Sequence, residues 1–257
     1  MAELVLRHVS KRFGGLLAVD NLDLEVPEGR ILSLIGPNGA GKTTVFNMIT
    51  GVYPPTEGTI AYQGKKLNNL RSHRIISQGI ARTFQNIRLF KSMTVLENVQ
   101  VGMHCRTRSG AFRALFQSSF AILEEKEIVE KALEILEYFG LVDYRNEYAS
   151  NLPYGDQRRL EIARAVATRP KTLLLDEPAA GMNPSETAEL MDLILKLRDT
   201  GLTIFLVEHD MRLVMGISEM VIVLDHGQKI AEGEPKEIQQ NEKVIEAYLG
   251  TKAKTKT

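Results

Sequence analysis

Short β-rich runs separated by turn formers recur through the first third of the chain, at residues 4–9, 22–26, 31–35 and 59–62. The breaks between them carry Gly14-Gly15, Pro27-Glu28-Gly29 and Pro54-Pro55. This alternation predicts strands. The run 30–35 passes through six residues rich in glycine into 42–50, the pattern of a buried strand, a glycine loop and a helix that Gly51 would end.

From about residue 94 to 167 the spacing becomes helical. Ile128, Ala132, Ile135 or Leu136, and Phe139 form one apolar stripe, and Gly140 stands where a C-cap belongs. An inserted helical subdomain is expected there. The last third returns to strands at 172–175, 203–207 and 220–224, with a helix over 184–198. Strands alternating with helices imply βα units, a mainly parallel sheet and an α/β fold. Asn183-Pro184-Ser185-Glu186 supplies an N-cap, a first-turn proline and a Glu at N3, and Gly201 follows the helix end. The tail 251–257, Thr-Lys-Ala-Lys-Thr-Lys-Thr, is expected to fray.

The 257 residues are 44% hydrophobic and 25% charged, which excludes disorder, collagen-like repeats and disulfide scaffolds and suits one or two globular domains. Lys plus Arg and Asp plus Glu balance at 32 each, so no global field favours nucleic acid or an anionic membrane. The single cysteine, Cys105, cannot form an internal disulfide, and neighbouring His104 has no further sulfur ligand at zinc spacing, which fits a reducing cytosol. A membrane span needs roughly 20 consecutive apolar residues. Runs such as 204–207 and 220–224 are far shorter. The first seven residues lack the pattern of a secretory signal. Any membrane role is expected to come through a partner.

Gly36-Pro37-Asn38-Gly39-Ala40-Gly41-Lys42-Thr43 matches G-x-x-x-x-G-K-[ST], placed between an apolar strand and a helix. Glycines let backbone N–H groups converge on phosphate oxygens, and the helix N-terminus adds partial positive charge. Lys42 can reach the terminal phosphates, and the Thr43 hydroxyl can ligate Mg²⁺. The alternative, a glycine-rich turn with a solvated lysine, does not require that strand-loop-helix context. A second apolar strand delivers Asp176 and Glu177 at its C-terminal end, where ligands of α/β sheets gather. Asp176 would hold Mg²⁺ through its water shell and Glu177 would polarise the attacking water, unless the two acids are merely a solvated turn.

In this order the elements resemble the ATP-binding subunits of ABC transporters over residues 3–250. The resemblance makes Gly36 to Thr44, including Thr44, the Walker A segment, and Gln85 in Ala81-Arg-Thr-Phe-Gln85 the Q-loop. Leu152-Pro153-Tyr154-Gly155-Asp156 opens the signature segment, and 173–177 is Walker B. Ala180-Gly-Met-Asn183 is similar to the D-loop, and Val207-Glu-His209-Asp to the H-switch. It implies a P-loop ABC ATPase fold with an N-terminal antiparallel β subdomain, residues about 1–90 and 165–250 forming core and β subdomain, and a helical insert at about 91–165. It further implies that Gln85 touches Mg²⁺ or the attacking water, that His209 contacts the γ-phosphate, and that Phe13 stacks on adenine, for which core packing is the alternative.

The signature departs from the common Leu-Ser-Gly-Gly-Gln at Pro153, Tyr154 and Asp156, and Asn183 stands where Asp is usual. The lost hydroxyl removes a hydrogen bond to γ-phosphate, although N–H groups at the following helix start can still bind it. These departures resemble the branched-chain amino acid importer ATPases, which implies ATP-driven uptake of Leu, Ile, Val or related amino acids. Implied partners are a second ATPase subunit, related or identical, integral membrane permease subunits and, indirectly, an extracytoplasmic amino-acid-binding protein, with no nucleic acid. The implied location is peripheral, on the cytoplasmic face of the inner membrane. Phe112, Phe116 and Phe120 in 110–123 offer either a docking face or core, and Arg106, Arg108 and Arg113 beside them either meet partner acids or are solvated.

A P-loop kinase would share the glycine loop without explaining Gln85, 152–165 and His209 in order. A GTPase would require Asp-x-x-Gly and Asn-Lys-x-Asp, which the chain lacks. A non-transport ABC protein of DNA repair or translation is the nearer rival. Such proteins usually carry tandem cassettes or long coiled coils, and this chain has one cassette and no long heptad array.

Overall fold

Two long strands, β1 (Ala2–Phe13) and β2 (Leu16–Pro27), pair as an antiparallel hairpin. Strand β4 (Glu57–Tyr62) joins the other edge of β1, and the two-residue β5 (Lys65–Lys66) completes a sheet in the order β2-β1-β4-β5. Both hairpin strands run well past the apolar segments 4–9 and 22–26. Register shifts, with His8 and Asn21 at positive φ, carry the pairing through the polar interruptions.

The second sheet has the order β10-β9-β3-β8-β7-β6. Its members are β3 (Ile31–Ile35), β6 (Ile80–Arg82), β7 (Thr172–Asp176), β8 (Thr203–Val207), β9 (Met220–Asp225) and β10 (Gln228–Gly233). All neighbours pair in parallel except β9 and β10, which are antiparallel. Every residue of β3, β7 and β8 is buried, as expected where helices cover both faces. Leu34 and Asp176 both align with Val207, so the ends of β3, β7 and β8 emerge at one edge.

A computed structural model describes residues 2–104 and 119–249. Both sheets lie in one unit, made of residues up to 82 and from 171 onward, and residues 83–170 form a second. Helices of the first unit are α1 (Lys42–Ile49) and α2 (Ser72–Gln78) from the first segment, and α6 (Pro184–Asp199), α7 (Met211–Ile217), α8 (Pro235–Gln240) and α9 (Glu242–Leu249) from the second. Leu4, Leu24, Phe46, Tyr62, Phe205 and Leu224 belong to one core between the sheets and α1. Ile35, Val221, Ile238 and Val244 belong to a smaller core under the C-terminal helices.

The second unit contains α3 (Val95–His104), α4 (Ser119–Tyr138) and α5 (Tyr154–Ala167). Of the predicted stripe, Ala132, Leu136 and Phe139 are buried, and Leu136 rather than Ile135 faces inward. Gly140, at φ +67°, ends α4: its N–H bonds the Glu137 carbonyl and the Leu141 N–H bonds that of Leu136, the paired bonds of a Schellman motif. Asn183 caps α6 with a complete capping box. Cys105, Arg106, Arg108, Phe112, Arg113, Phe116 and the tail 251–257 lie outside the described residues, as do the side chains of His104 and Phe120. Among the described residues no helix is long and apolar enough to cross a membrane.

Candidate nucleotide site

The loop between β3 and α1 is shaped by glycines that no other residue could replace without displacing main chain. Gly36 has φ +149°, and a Cβ there would lie 2.1 Å from the Leu224 carbonyl oxygen. Gly41, at φ +103°, would place one 2.5 Å from the Ala18 oxygen. Ala40 donates to the Pro37 carbonyl at 3.2 Å, and Gly227 donates to that of Ala40 at 3.0 Å, so the loop is pinned from below. Asn38 and Gly39 are exposed on its rim.

Helix α1 begins at Lys42 with no side-chain cap and no acid in its first turn. Its first N–H groups, those of Lys42, Thr43 and Thr44, have no acceptor within the helix, so this end attracts an anion. Thr43 is exposed and Thr44 half-buried. Lys42 is buried, and its Nζ donates to the carbonyls of Gly36 at 2.7 Å and Pro37 at 3.0 Å. Burial holds its pKa below the usual lysine value, opposed by the carboxylates of Glu177 and Asp176.

Those acids end β7. Asp176 is buried, and its Oδ2 accepts from Arg82 Nη2 at 2.7 Å. Glu177 has φ +48°, a conformation that costs a non-glycine residue about 1–3 kcal/mol and concentrates at functional sites. Its N–H bonds the Val207 carbonyl at 2.8 Å. His209 follows β8 with its side chain 60% exposed, Nδ1 standing 3.6 Å from Glu177 Oε2.

Glu208, between β8 and His209, is completely buried. Its Oε1 accepts from the Ala179 N–H at 2.9 Å and its Oε2 from the N–H groups of His209 at 2.9 Å and Asp210 at 3.2 Å. One carboxylate thus ties the segment after β7 to the one after β8. Phe13 is 42% exposed and no core residue. Its ring meets Tyr53 edge-on at 5.1 Å, and Lys11 Nζ lies 5.1 Å from its centroid.

In the second unit, Gln85 is held through its carbonyl, which accepts from Arg158 Nη2 at 2.7 Å. Leu152, Gly155 and Asp156 are buried, whereas Pro153 and Tyr154 are exposed. Pro153 is the N-cap of α5, where its missing N–H leaves no intrahelical bond unmade. Asp156 pairs with Arg159 one turn on, and Gln157 Nε2 donates to the Leu152 carbonyl at 2.8 Å.

The structure therefore gathers Gly36 through Thr44, Asp176, Glu177 and His209 at one edge of the core sheet. Sequence reasoning missed Arg82, Glu208 and the Arg158–Glu161 pair. A charged residue directly after an apolar strand was the available signal for Glu208, whereas Arg82 sits within the three-residue β6. The donor set fits a magnesium nucleotide: uncapped N–H groups and an ammonium for phosphate, with a threonine hydroxyl and one or two carboxylates for a metal that keeps most of its water and phosphate ligands.

A glycine phosphate loop beside an acid-ended strand defines a P-loop nucleoside triphosphatase. Residues 19–180 match the family model described as ABC transporter, and residues 228–254 the one described as branched-chain amino acid ATP-binding cassette transporter. The high-affinity branched-chain amino acid transport ATP-binding protein LivG of Salmonella typhimurium is 51% identical over 248 residues, covering 96% of this chain and 97% of that protein. The crystal structure of the ADP conformation of an ATP-binding cassette of an ABC transporter is 35% identical with a TM-score of 0.86, over 97% of this chain and 99% of that one. A dimeric post-hydrolysis cassette bound to ADP and Pi is 29% identical with a TM-score of 0.76, over 90% and 98%. The chain belongs to the ATP-binding cassette family of ABC transporters, and it is an ATPase.

Proposed function

We propose that this chain is the subunit that binds and hydrolyses ATP to drive import of branched-chain amino acids. The phosphate loop with Lys42, sharing one sheet edge with Asp176, Glu177 and His209, is the observation that carries the catalytic reading. The amino acid substrate rests on the likeness to LivG and on the match of residues 228–254.

In this reading the N–H groups of Gly39 through Thr44 and the Lys42 ammonium bind the phosphates, and Phe13 stacks on the adenine. Lys42 exchanges its bonds with the Gly36 and Pro37 carbonyls for charge-assisted bonds to phosphate oxygens. Glu177 orients and deprotonates the attacking water, and His209 donates to the γ-phosphate. The Thr43 hydroxyl and Asp176 would hold Mg²⁺, which would neutralise phosphate charge when bound.

Two such subunits pair, as in the dimeric cassette, and Leu152 to Asp156 of one chain contribute to the nucleotide site of the other. With no hydroxyl at Pro153, that contribution comes from the N–H groups at the start of α5. Permease subunits carry the amino acid and hold the pair at the cytoplasmic face of the membrane. Glu177→Gln tests the catalytic reading: ATP binding is expected to persist while hydrolysis falls by roughly 10² to 10⁴. Unchanged turnover would remove Glu177 from that role.

A further inference from the structure

The sheet edge that holds Asp176 also holds a cation that the proposed chemistry does not use. Arg82 ends β6, next to β7 in parallel register. Its Nη2 donates to Asp176 Oδ2 at 2.7 Å, and the two side chains are only 6% and 4% exposed. Its Nη1 donates to Asn47 Oδ1 at 2.7 Å and to Thr50 Oγ1 at 3.0 Å, and its guanidinium carbon lies 5.5 Å from the Phe46 ring centroid. The fork is therefore fixed by the far end of α1 and directed at one oxygen of Asp176.

Stability alone is a poor reason for such a pair. Desolvating two charges is costly, and apolar residues of equal volume often serve as well. Charge balance gives a better one. The carboxylates of Asp176 and Glu177 face two cations, Lys42 and Arg82, and their fields act on each other at low dielectric. Two negative charges set against two positive ones offer a free divalent cation little attraction. Incoming phosphates change that balance, because they engage Lys42 and bring negative charge of their own.

We infer that Arg82 is the resident counter-ion of Asp176: it orients the carboxylate and keeps the nucleotide-free site from taking up divalent metal, so that metal enters with nucleotide. The inference rests on the assignment of Asp176 to the metal. Arg82 acts through Asp176 and is a positioning residue.

The test is titration of the nucleotide-free protein with Mn²⁺, followed by electron paramagnetic resonance, in the wild type and in Arg82→Lys, Arg82→Gln and Arg82→Met. The charge-retaining Lys variant is expected to bind Mn²⁺ as weakly as the wild type. The two neutral variants are expected to bind it at least roughly tenfold more tightly, and Asp176→Asn placed on either should abolish the gain. Should Arg82→Met fail to fold, the Lys and Gln variants still differ in charge while both keep a hydrogen-bonding head. Neutral variants that bind Mn²⁺ no better than the wild type, or a Lys variant that gains as much as they do, overturn the counter-ion role.

The underlying assignment has its own readout, the Mn²⁺-dependent part of ADP affinity. Asp176→Asn alone should remove it. If it persists there, the assignment of Asp176 to the metal fails. If it is lost while the neutral Arg82 variants show no gain, only the inference about Arg82 fails.

Discussion

Arg158, with no solvent exposure, donates from Nη2 to the Gln85 carbonyl oxygen at 2.7 Å. Its Nη1 reaches the Phe84 carbonyl at 2.7 Å and Glu161 Oε2 at 2.8 Å, and Glu161 Oε1 accepts from the Arg88 N–H at 3.1 Å. Two side chains one turn apart on α5 therefore set the path of residues 84–88. Arg158→Met is predicted to cost about 3–5 kcal/mol, because it strands a buried carboxylate; adding Glu161→Leu should recover much of that. Denaturant unfolding of the wild type and the two variants measures it.

Loss of the Lys42 ammonium should be felt in binding before turnover. Charge-assisted bonds contribute about 1.5–3 kcal/mol each, so Lys42→Ala is predicted to weaken ATP affinity by roughly ten- to a hundredfold. Equilibrium titration with a fluorescent ATP analogue reads the change directly. Normal affinity would count against the phosphate cradle.

Glu208 is expected to matter without touching substrate. Glu208→Ala leaves the N–H groups of Ala179, His209 and Asp210 without their acceptor, at about 1–3 kcal/mol for each group that finds no other partner. Displacing His209 by even a fraction of an ångström should lower kcat by about 10- to 100-fold while KM for ATP changes little. Steady-state hydrolysis separates the two parameters.

Glu3 gives stability a dependence on acid pH. Burial alone would raise its pKa, but hydrogen bonds from Thr203, Thr172, Tyr62 and Gln63 outweigh that and lower it below the ordinary carboxylate value. A group with a depressed folded-state pKa stabilises fully above its unfolded value and stops doing so as pH falls through the folded one. The stability advantage of wild type over Glu3→Gln should therefore be constant near neutrality and shrink below about pH 4.5. Thermal unfolding of both proteins from pH 7 to 3 checks it.

What the sequence disclosed depended on how locally each feature is determined. Strand β8 follows its apolar run residue for residue, and β7 and β9 each extend one residue further, because buried parallel strands carry a continuous hydrophobic signal. The three-residue β6 and the partly exposed β10 lack that signal: β6 exists through pairing with β7 far along the chain, and β10 through a hairpin with β9. The glycine loop was legible because its backbone geometry admits so few residue types. Arg82 was not, since its partners lie 32, 35 and 94 positions away. The capping box at Asn183, by contrast, is written in four consecutive letters and forms as read.

Val244, near the end of the described chain, belongs to the same apolar cluster as Ile35, the residue immediately before Gly36. Loss of α9 would thus loosen the packing directly beneath the phosphate loop, more than two hundred positions upstream.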